Sequence, residues 1–482
     1  MLNYCLNSMS RRIACALLCF HTILSASEQP NILLILVDDM GYGDLRCYNR
    51  NSKIPTPNMN RLADEGMRFT DAHAAGPLCH VSRYGLMTGQ YPFRARPNTW
   101  SRRATIDQAR VTLPSFLKSR GYNTAMVGKW HLGFDEDGYD KPLPGGPVDR
   151  GFDSFFGIRA STDIPPYFYI RNDQAVMPPT LEIEANNSEG WSPIQGAFWR
   201  KGGISPDLQL KDVLPRFTNE AIQVIETHAS SQSQEPLFLY LAYPAPHTPW
   251  LPDESFIGKS GAGMYGDFTM MVDAMIGRVL KALELSGMQE DTLVILSSDN
   301  GPVWYEHDVE RFDHDSSGGL RGMKADAWEA GHRMPFIVRW PGRIRSGSVS
   351  QQTISFTDIL PTAAAMIGQA LPEGAAPDGV SFFDVLAGRR PEASPVREHL
   401  VVPSGNGTLT IRKGPWKLIQ GLGSGGFSKP SRIKASEGGP RGQLYHLNQD
   451  PSESINLYME HPELVKELEQ QLKAIQNDST KA

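Results

Sequence analysis

Apolar positions along the 482-residue chain fall into runs separated by amphipathic stretches. "NILLILV" (Asn31 to Val37) is apolar without interruption, as expected of a strand covered on both faces. It stops abruptly at "DDMGYGD". "MNRLADEGMRF" carries helical spacing, and "LPSFLKSRGYNTAMVGKWHLG" reads as helix, turn, strand and loop. "PLFLYLAYPAPHTPW" is a strand running into a proline-rich loop. Phe268 to Leu285 is a long amphipathic helix, and "TLVILSSDNG" and "MPFIVRWPG" are further strands. This alternation predicts an α/β fold, a large and mostly parallel sheet sandwiched by helices.

The pattern changes after about Arg390. "TLTIRKGPWKLI" predicts paired strands around a turn at Lys413 and Gly414, "QLYHL" a short strand, and Pro462 to Gln476 a closing helix. Gly421 to Gly442, rich in Gly, Ser and Pro, reads as loop. The expected organisation is an α/β domain over residues 28–390 and a smaller antiparallel α+β subdomain over 391–482, with no internal repeat.

Residues 1–27 read differently. Arg11 and Arg12 precede an apolar run from Ile13 to Leu24, and Ser25, Ala26 and Ser27 follow. This predicts a signal peptide and a periplasmic or secreted product; a buried first helix is the alternative. The run is short for a bilayer span, and no other run is long enough, so no integral membrane segment is expected in the mature chain. Cys5, Cys15 and Cys19 lie in this leader, which leaves Cys47 and Cys79. Two cysteines do not make a disulfide scaffold, although these two could pair.

With 40% hydrophobic and 21% charged residues the composition is globular. A net charge of -6 argues against nucleic acid as the main partner. An anionic substrate would need a local positive cluster or a metal.

Ligands of parallel sheets gather at the carboxyl ends of the strands. There the sequence places Asp38 and Asp39, Lys129 and His131, His247, and Asp299 with Asn300. Asp38, Asp39, Asp299 and Asn300 form an all-oxygen set that suits calcium or magnesium rather than zinc. Taken singly, each pair serves equally to cap a turn. Lys129 and His131 share a face if the segment is extended, and a cation beside an imidazole suits an oxyanion. His247 and Lys324, each alone, read as a structural histidine and a solvated charge. Cys79 reads as a buried small hydrophobe, or as a thiolate activated by Arg83 and a helix N-terminus. A Cys–His hydrolase needs no hard-cation site, so the acidic set argues against the second reading.

"CHVSRYGLMTG" resembles the signature of the type I, formylglycine-dependent sulfatases, an arylsulfatase-like and carbohydrate-sulfatase family of the alkaline phosphatase superfamily. "VDDMGYGD", "GKWHLG", "PAPHTPW", "SSDNG", "LRGMKADAWEAGHRMPFIVRWPG" and "QLYHLNQDPSESINL" resemble the family's other blocks in the same order, from Pro30 to about Leu457. The resemblance implies that a maturation enzyme oxidises Cys79 to formylglycine (3-oxoalanine). One hydroxyl of its hydrate attacks sulfur, the ester alcohol departs, and the second hydroxyl expels sulfate. It implies one calcium ion held by Asp38, Asp39, Asp299 and Asn300, with the Cys79-derived group as a further ligand. Arg83 and Lys129 would offset charge on the hydrate, and His131 would be the base. His247 and Lys324 would contact sulfate and the leaving oxygen, with His247 the proton donor. One position departs from the family: Val81 stands where proline is usual.

The implied substrate is a sulfated carbohydrate, with galactose or N-acetylgalactosamine sulfates in view and aryl sulfates as activated alternatives. Tyr167, Trp250, Trp304 and His314 are of types that stack on or bond to sugars. Ordinary loop packing is the competing reading. Two other functions are weighed: a phosphatase or phosphodiesterase of the same superfamily, and a non-catalytic binder of sulfated glycans if Cys79 is not matured. Asn186 and Asn406 begin glycosylation sequons.

Overall fold

The Asn31–Asp38 strand lies in the middle of the sheet, parallel to Thr292–Ser298 on one side and to Leu237–Pro246 on the other. Its alternate residues serve opposite layers. Ile32, Leu34 and Leu36 join one hydrophobic cluster; Leu33, Ile35 and Val37 join the other. This is why the run is apolar throughout, and each such side chain contributes about 1.5–3 kcal/mol by burial.

This computed structural model describes residues 29–478 except 99, 101 and 232. The expected signal peptide therefore lies outside the described residues. Eleven strands form the main sheet. The order is Ser348–Ser350, Met67–His73, Arg333–Arg339, Thr292–Ser298, Asn31–Asp38, Leu237–Pro246, Asn123–Lys129, Ser154–Ile158, Ile170–Arg171 and Gln174–Ala175. Ile354–Ser355 pairs beside Met67–His73. The centre is parallel, and Arg333–Arg339 is antiparallel to both its neighbours. One layer holds the long helices Val213–Ser230 and Gly263–Leu285; the other holds Leu113–Lys118 and Ile359–Met366.

The helical spacing in "MNRLADEGMRF" ends early. The Pro57–Glu65 helix stops at Gly66, and Met67–His73 is a strand. A Cβ on Gly66 would lie 2.4 Å from the Val338 carbonyl oxygen. The chain turns there against the neighbouring strand, and its next apolar residues pair with that strand.

Beyond the main sheet, Leu400–Pro403, Leu409–Lys413, Trp416–Ile419 and Gln443–His446 make a four-stranded antiparallel sheet. The Pro462–Asn477 helix buries Val465, Leu468 and Leu472 against it. Among the described residues, no helix is long and apolar enough to cross a membrane.

Candidate active site

Thr292–Ser298, Asn31–Asp38, Leu237–Pro246 and Asn123–Lys129 are neighbours and mutually parallel, so their carboxyl ends share one edge. Asp38 closes its strand, and Asp39 turns at φ 63°. Cross-strand bonds hold the turn. Asp299 N donates to Val37 O (3.0 Å), Asp39 N to Asp299 Oδ1 (3.3 Å) and Met40 N to Ser298 Oγ (2.9 Å). Asp44 ties the loop back by accepting from Gly41 N (2.6 Å), Ser316 Oγ (2.7 Å) and the Tyr265 hydroxyl.

Cys79 is the first residue of the Cys79–Thr88 helix, entered from extended Leu78. Its thiol donates to Asp38 Oδ1 (3.3 Å) and accepts from Lys324 Nζ (3.4 Å). Arg83, one turn on, donates through Nε and Nη2 to Asp299 Oδ2 (3.0 and 2.7 Å), through Nη2 to Asp38 Oδ2 (3.2 Å), and through Nη1 to the Lys129 carbonyl (2.9 Å). Lys129 Nζ donates to Asp38, and Lys324 Nζ to both oxygens of Asp39 (2.6 and 2.8 Å). Asn300 Nδ2 donates to Asp39 Oδ1 (2.6 Å). His247 Nε2 stands 3.6 Å from Asp39 Oδ2, and its Nδ1 is 2.6 Å from the Thr248 carbonyl. A carbonyl only accepts, so Nδ1 carries the proton in that bond. His131 lies beyond Lys129, its ring 5.6 Å from that of His80. Every residue expected in the catalytic and metal sets thus lies along this one edge, all of them buried.

Three buried carboxylates therefore face three buried cations. Burial alone would raise the Asp38 carboxyl, but Lys129, His247, Arg83 and Lys324 hold it well below the usual range. Burial and neighbouring Asp38 raise Asp299. Burial works against charge on Lys324, and Asp39 foremost keeps it protonated. The Cys79 thiol is pushed well up by burial, Asp299 and Asp38, so the thiolate reading is disfavoured. Burial, Lys129 and His80 hold His131 well below the ordinary histidine value, hence neutral near pH 7. Cys47 and Cys79 are both free thiols and do not pair.

The donor set fits a hard cation. Asp38, Asp39 and Asp299 supply carboxylate oxygens, and the buried Asn300 Oδ1 has no hydrogen-bond partner among the described residues. One candidate ligand atom each from Asp38, Asp39, Cys79 and His247 lies within 4.8 Å of the others. A second group, His73, Glu329 and His332, has equal proximity. Lys417 Nζ already sits 3.0 Å from Glu329 Oε1 there, which makes it an ion-paired cluster.

The aromatic residues expected at the pocket border are placed otherwise. Trp250, Trp304 and His314 are 2%, 3% and 1% exposed. Trp250 and Trp304 pack on Tyr265 (5.3 and 5.1 Å between ring centroids), whose hydroxyl braces Asp44. His314 Nε2 pairs with Asp44 Oδ1 (2.9 Å), and Trp304 Nε1 donates to His314 O (2.9 Å). Tyr167 OH donates to the carbonyls of Asp163 and Arg200. The polar tips of Trp304, His314 and Tyr167 are satisfied internally, and Trp250, Trp304 and His314 pack around the Tyr265–Asp44 pair that ties back the loop carrying Asp39. Sequence reasoning passed over Tyr240, whose hydroxyl meets Arg83 Nη1 (3.4 Å), and Asp163, whose Oδ1 lies 3.9 Å from His247 Nδ1. Two tyrosine hydroxyls, Tyr240 and Tyr243, within the apolar "LFLYLAYP" were the available signal, and the sequence does not say which of them faces Arg83.

The family model described as Sulfatase matches residues 30–369. An N-acetylgalactosamine-6-O-sulfatase of Bacteroides thetaiotaomicron is 35% identical over 488 residues, covering 93% of both chains. Human arylsulfatase A is 34% identical over 453 residues, 90% of this chain and 84% of the relative. A solved structure from work on glycosaminoglycan metabolism by Bacteroides thetaiotaomicron superposes with a TM-score of 0.81 at 34% identity, covering 93% of this chain and 99% of that one. The chain belongs to the sulfatase family and is a sulfuric ester hydrolase.

Proposed function

We propose that the protein hydrolyses sulfate monoesters of carbohydrates, with N-acetylgalactosamine and galactose sulfates as the first candidates, after export and after conversion of Cys79 to formylglycine. The observation that carries this reading is the placement of the Cys79 sulfur between Asp38 and Lys324, with Arg83 one helical turn behind. The substrate class rests on the similarity to the N-acetylgalactosamine-6-O-sulfatase.

Formylglycine supplies a carbonyl whose hydrate is the nucleophile. Calcium held by Asp38, Asp39, Asp299 and Asn300 supplies Lewis acidity. The chain's own residues do the rest. Arg83 and Lys129, fixed by Asp38 and Asp299, offset negative charge at the reacting position. Lys324 reaches toward the sulfuryl and leaving oxygens, and His247 delivers a proton from Nε2. His131, neutral at working pH, accepts one. Burial of all these groups excludes water, which strengthens each interaction.

Val81 does not oppose this reading. It is the third residue of its helix, where a backbone N–H has no intrahelical partner, so proline and valine both fit the fold. We expect full conversion.

The test is mass spectrometry of the Cys79 peptide from active enzyme, with sulfate release from defined sulfated mono- and disaccharides and elemental analysis. We expect an aldehyde at position 79, one calcium per chain and turnover of sugar sulfates. Undiminished activity with an intact thiol, or of a Cys79→Ala variant, overturns the mechanism. Strong aryl-sulfate turnover with none on any sugar overturns the substrate class.

A further inference from the structure

Ser154–Ile158 runs parallel to Asn123–Lys129, so its carboxyl end opens on the same edge as the catalytic set. The loop after it is tied to the site by His131 N, which donates to Arg159 O (2.9 Å). It brings Asp163, only 3% exposed, against His247.

Asp163 is fixed through one carboxylate oxygen and unbonded at the other. Its Oδ2 accepts from Arg200 Nη1. Its carbonyl accepts from Arg200 N (3.3 Å), Arg200 Nη1 (3.2 Å) and the Tyr167 hydroxyl (3.0 Å). Arg200 is itself held, its guanidinium 5.0 Å from the Phe198 ring centroid and 5.5 Å from that of Trp100. Oδ1 is sealed from solvent and has no hydrogen-bond partner among the described residues. A buried carboxylate oxygen left unbonded costs free energy and calls for a reason. Being sealed, it does not meet substrate. The ring nitrogen it faces is His247 Nδ1, 3.9 Å away. That is too long for a hydrogen bond, yet short enough for charge to act strongly where water is excluded.

Nδ1 therefore has two acceptors beside it, the Thr248 carbonyl (2.6 Å) and the Asp163 carboxylate. Both favour a proton on Nδ1 and hold the ring with Nε2 toward Asp39 and the reacting position. Thr248 is the next residue and shares any movement of His247. Asp163 comes from a different strand end and, through Arg200, ties the ring to a third segment. We propose that Asp163 is the positioning residue of His247 and fixes which nitrogen exchanges a proton with the leaving oxygen. It acts through His247 and touches neither sulfate nor sugar. This rests on the sulfatase reading above, with His247 as the proton donor.

The test is a double-mutant cycle of Asp163→Asn and His247→Gln in the matured enzyme, on one sulfated monosaccharide and one activated aryl sulfate. We expect Asp163→Asn to lower kcat on the sugar about tenfold or more, with KM changed less than about twofold. The aryl sulfate, whose leaving oxygen needs less protonation, should slow less than about threefold. With His247→Gln already present, Asp163→Asn should change sugar kcat by less than about twofold, because the two residues act as one unit. Arg200→Gln releases the Asp163 carboxylate without removing it, and should give the same discrimination between the esters, again only while His247 is present. It serves as the second arm should Asp163→Asn fail to fold. Equal fractional losses with and without His247 overturn the proposal, as do equal losses on the two esters. In either case sulfate release by the unmutated enzyme shows that the sulfatase reading stands. Failure of the matured enzyme to release sulfate from any ester overturns that reading instead.

Discussion

Lys324 links the two halves of the site. Its ammonium touches both oxygens of Asp39 and the Cys79 sulfur, so it holds an acidic residue of the cation set and faces the reacting position. A preorganised cation in a water-excluded pocket is worth far more than one in solvent. Lys324→Ala is therefore expected to lower kcat/KM by about 100- to 1,000-fold, or roughly 3–4 kcal/mol. Steady-state kinetics alongside metal analysis checks this, since loss of the metal would signal a different cause. His247 offers a sharper contrast. Its Nδ1 is engaged by the Thr248 carbonyl, which leaves Nε2 toward Asp39 and the pocket. If it protonates the leaving oxygen, His247→Gln should slow sugar sulfates about 100-fold or more while slowing an activated aryl sulfate much less. Equal losses on both would assign His247 to sulfate binding. His247 was legible because it follows an apolar run parallel to its neighbours, whereas Lys324 follows none and stood out only through the family resemblance. Trp250, Trp304 and His314 misled for a related reason. Aromatic type shows that a side chain prefers a mixed environment, not whether its face meets a ligand or Tyr265.

At the scale of the elements, the site depends on close approach between central strands. Gly128 immediately precedes Lys129, sits at φ 119°, and a Cβ there would lie 1.9 Å from the Ala242 carbonyl oxygen of the adjacent strand. Gly157 on the other side is equally crowded, its Cβ position 1.8 Å from Gly128 O. Backbone cannot yield as a flexible side chain can. Gly128→Ala is expected to destabilise the protein by about 2–5 kcal/mol and to displace Lys129 from Asp38. Denaturant unfolding should show the loss, and kcat should fall further than partial unfolding explains. The strands themselves were readable from periodicity and length. The limit of the Pro57–Glu65 helix was not, because the apolar spacing of "MNRLADEGMRF" continues past the break. What decides the boundary is Gly66 turning against Val338, a residue distant in sequence. The antiparallel direction of Arg333–Arg339 was hidden for the same reason, since an apolar run does not state its polarity.

At the scale of the whole molecule, a buried ionic cluster fastens the C-terminal sheet to the main one. Lys417, from the Trp416–Ile419 strand, pairs with Glu329 Oε1 (3.0 Å) and Glu453 Oε1 (2.9 Å). Glu453 Oε2 accepts from Glu329 N (2.6 Å). His73 and His332 meet through Nδ1 atoms 2.9 Å apart, and Asp71 bridges His73 (3.0 Å) and Arg412 (2.7 Å). The "DPSE" segment holding Glu453 stood out in the sequence, but its role as a clamp needed three distant elements to be brought together. Burial and the nearby Glu329 push Glu453 up to about 7 despite Lys417. A raised carboxyl takes up a proton more readily in the folded state. Its contribution is thus present at lower pH and lost as pH rises through about 7. His73 and His332 are lowered, chiefly by burial, so their contribution is present above about pH 6.5 and lost as pH falls below it. Through this cluster, stability should peak near neutrality and decline on both sides. Lys417→Met leaves two buried carboxylates facing each other, at an expected cost of about 3–5 kcal/mol near pH 8. The penalty should shrink toward pH 6 as Glu453 protonates, by up to about 1.4 kcal/mol per pH unit for one proton. Glu453→Gln in the same background should flatten that dependence. Denaturant midpoints measured from pH 6 to 8 decide it, because a penalty independent of pH would mean that Lys417 serves by packing alone.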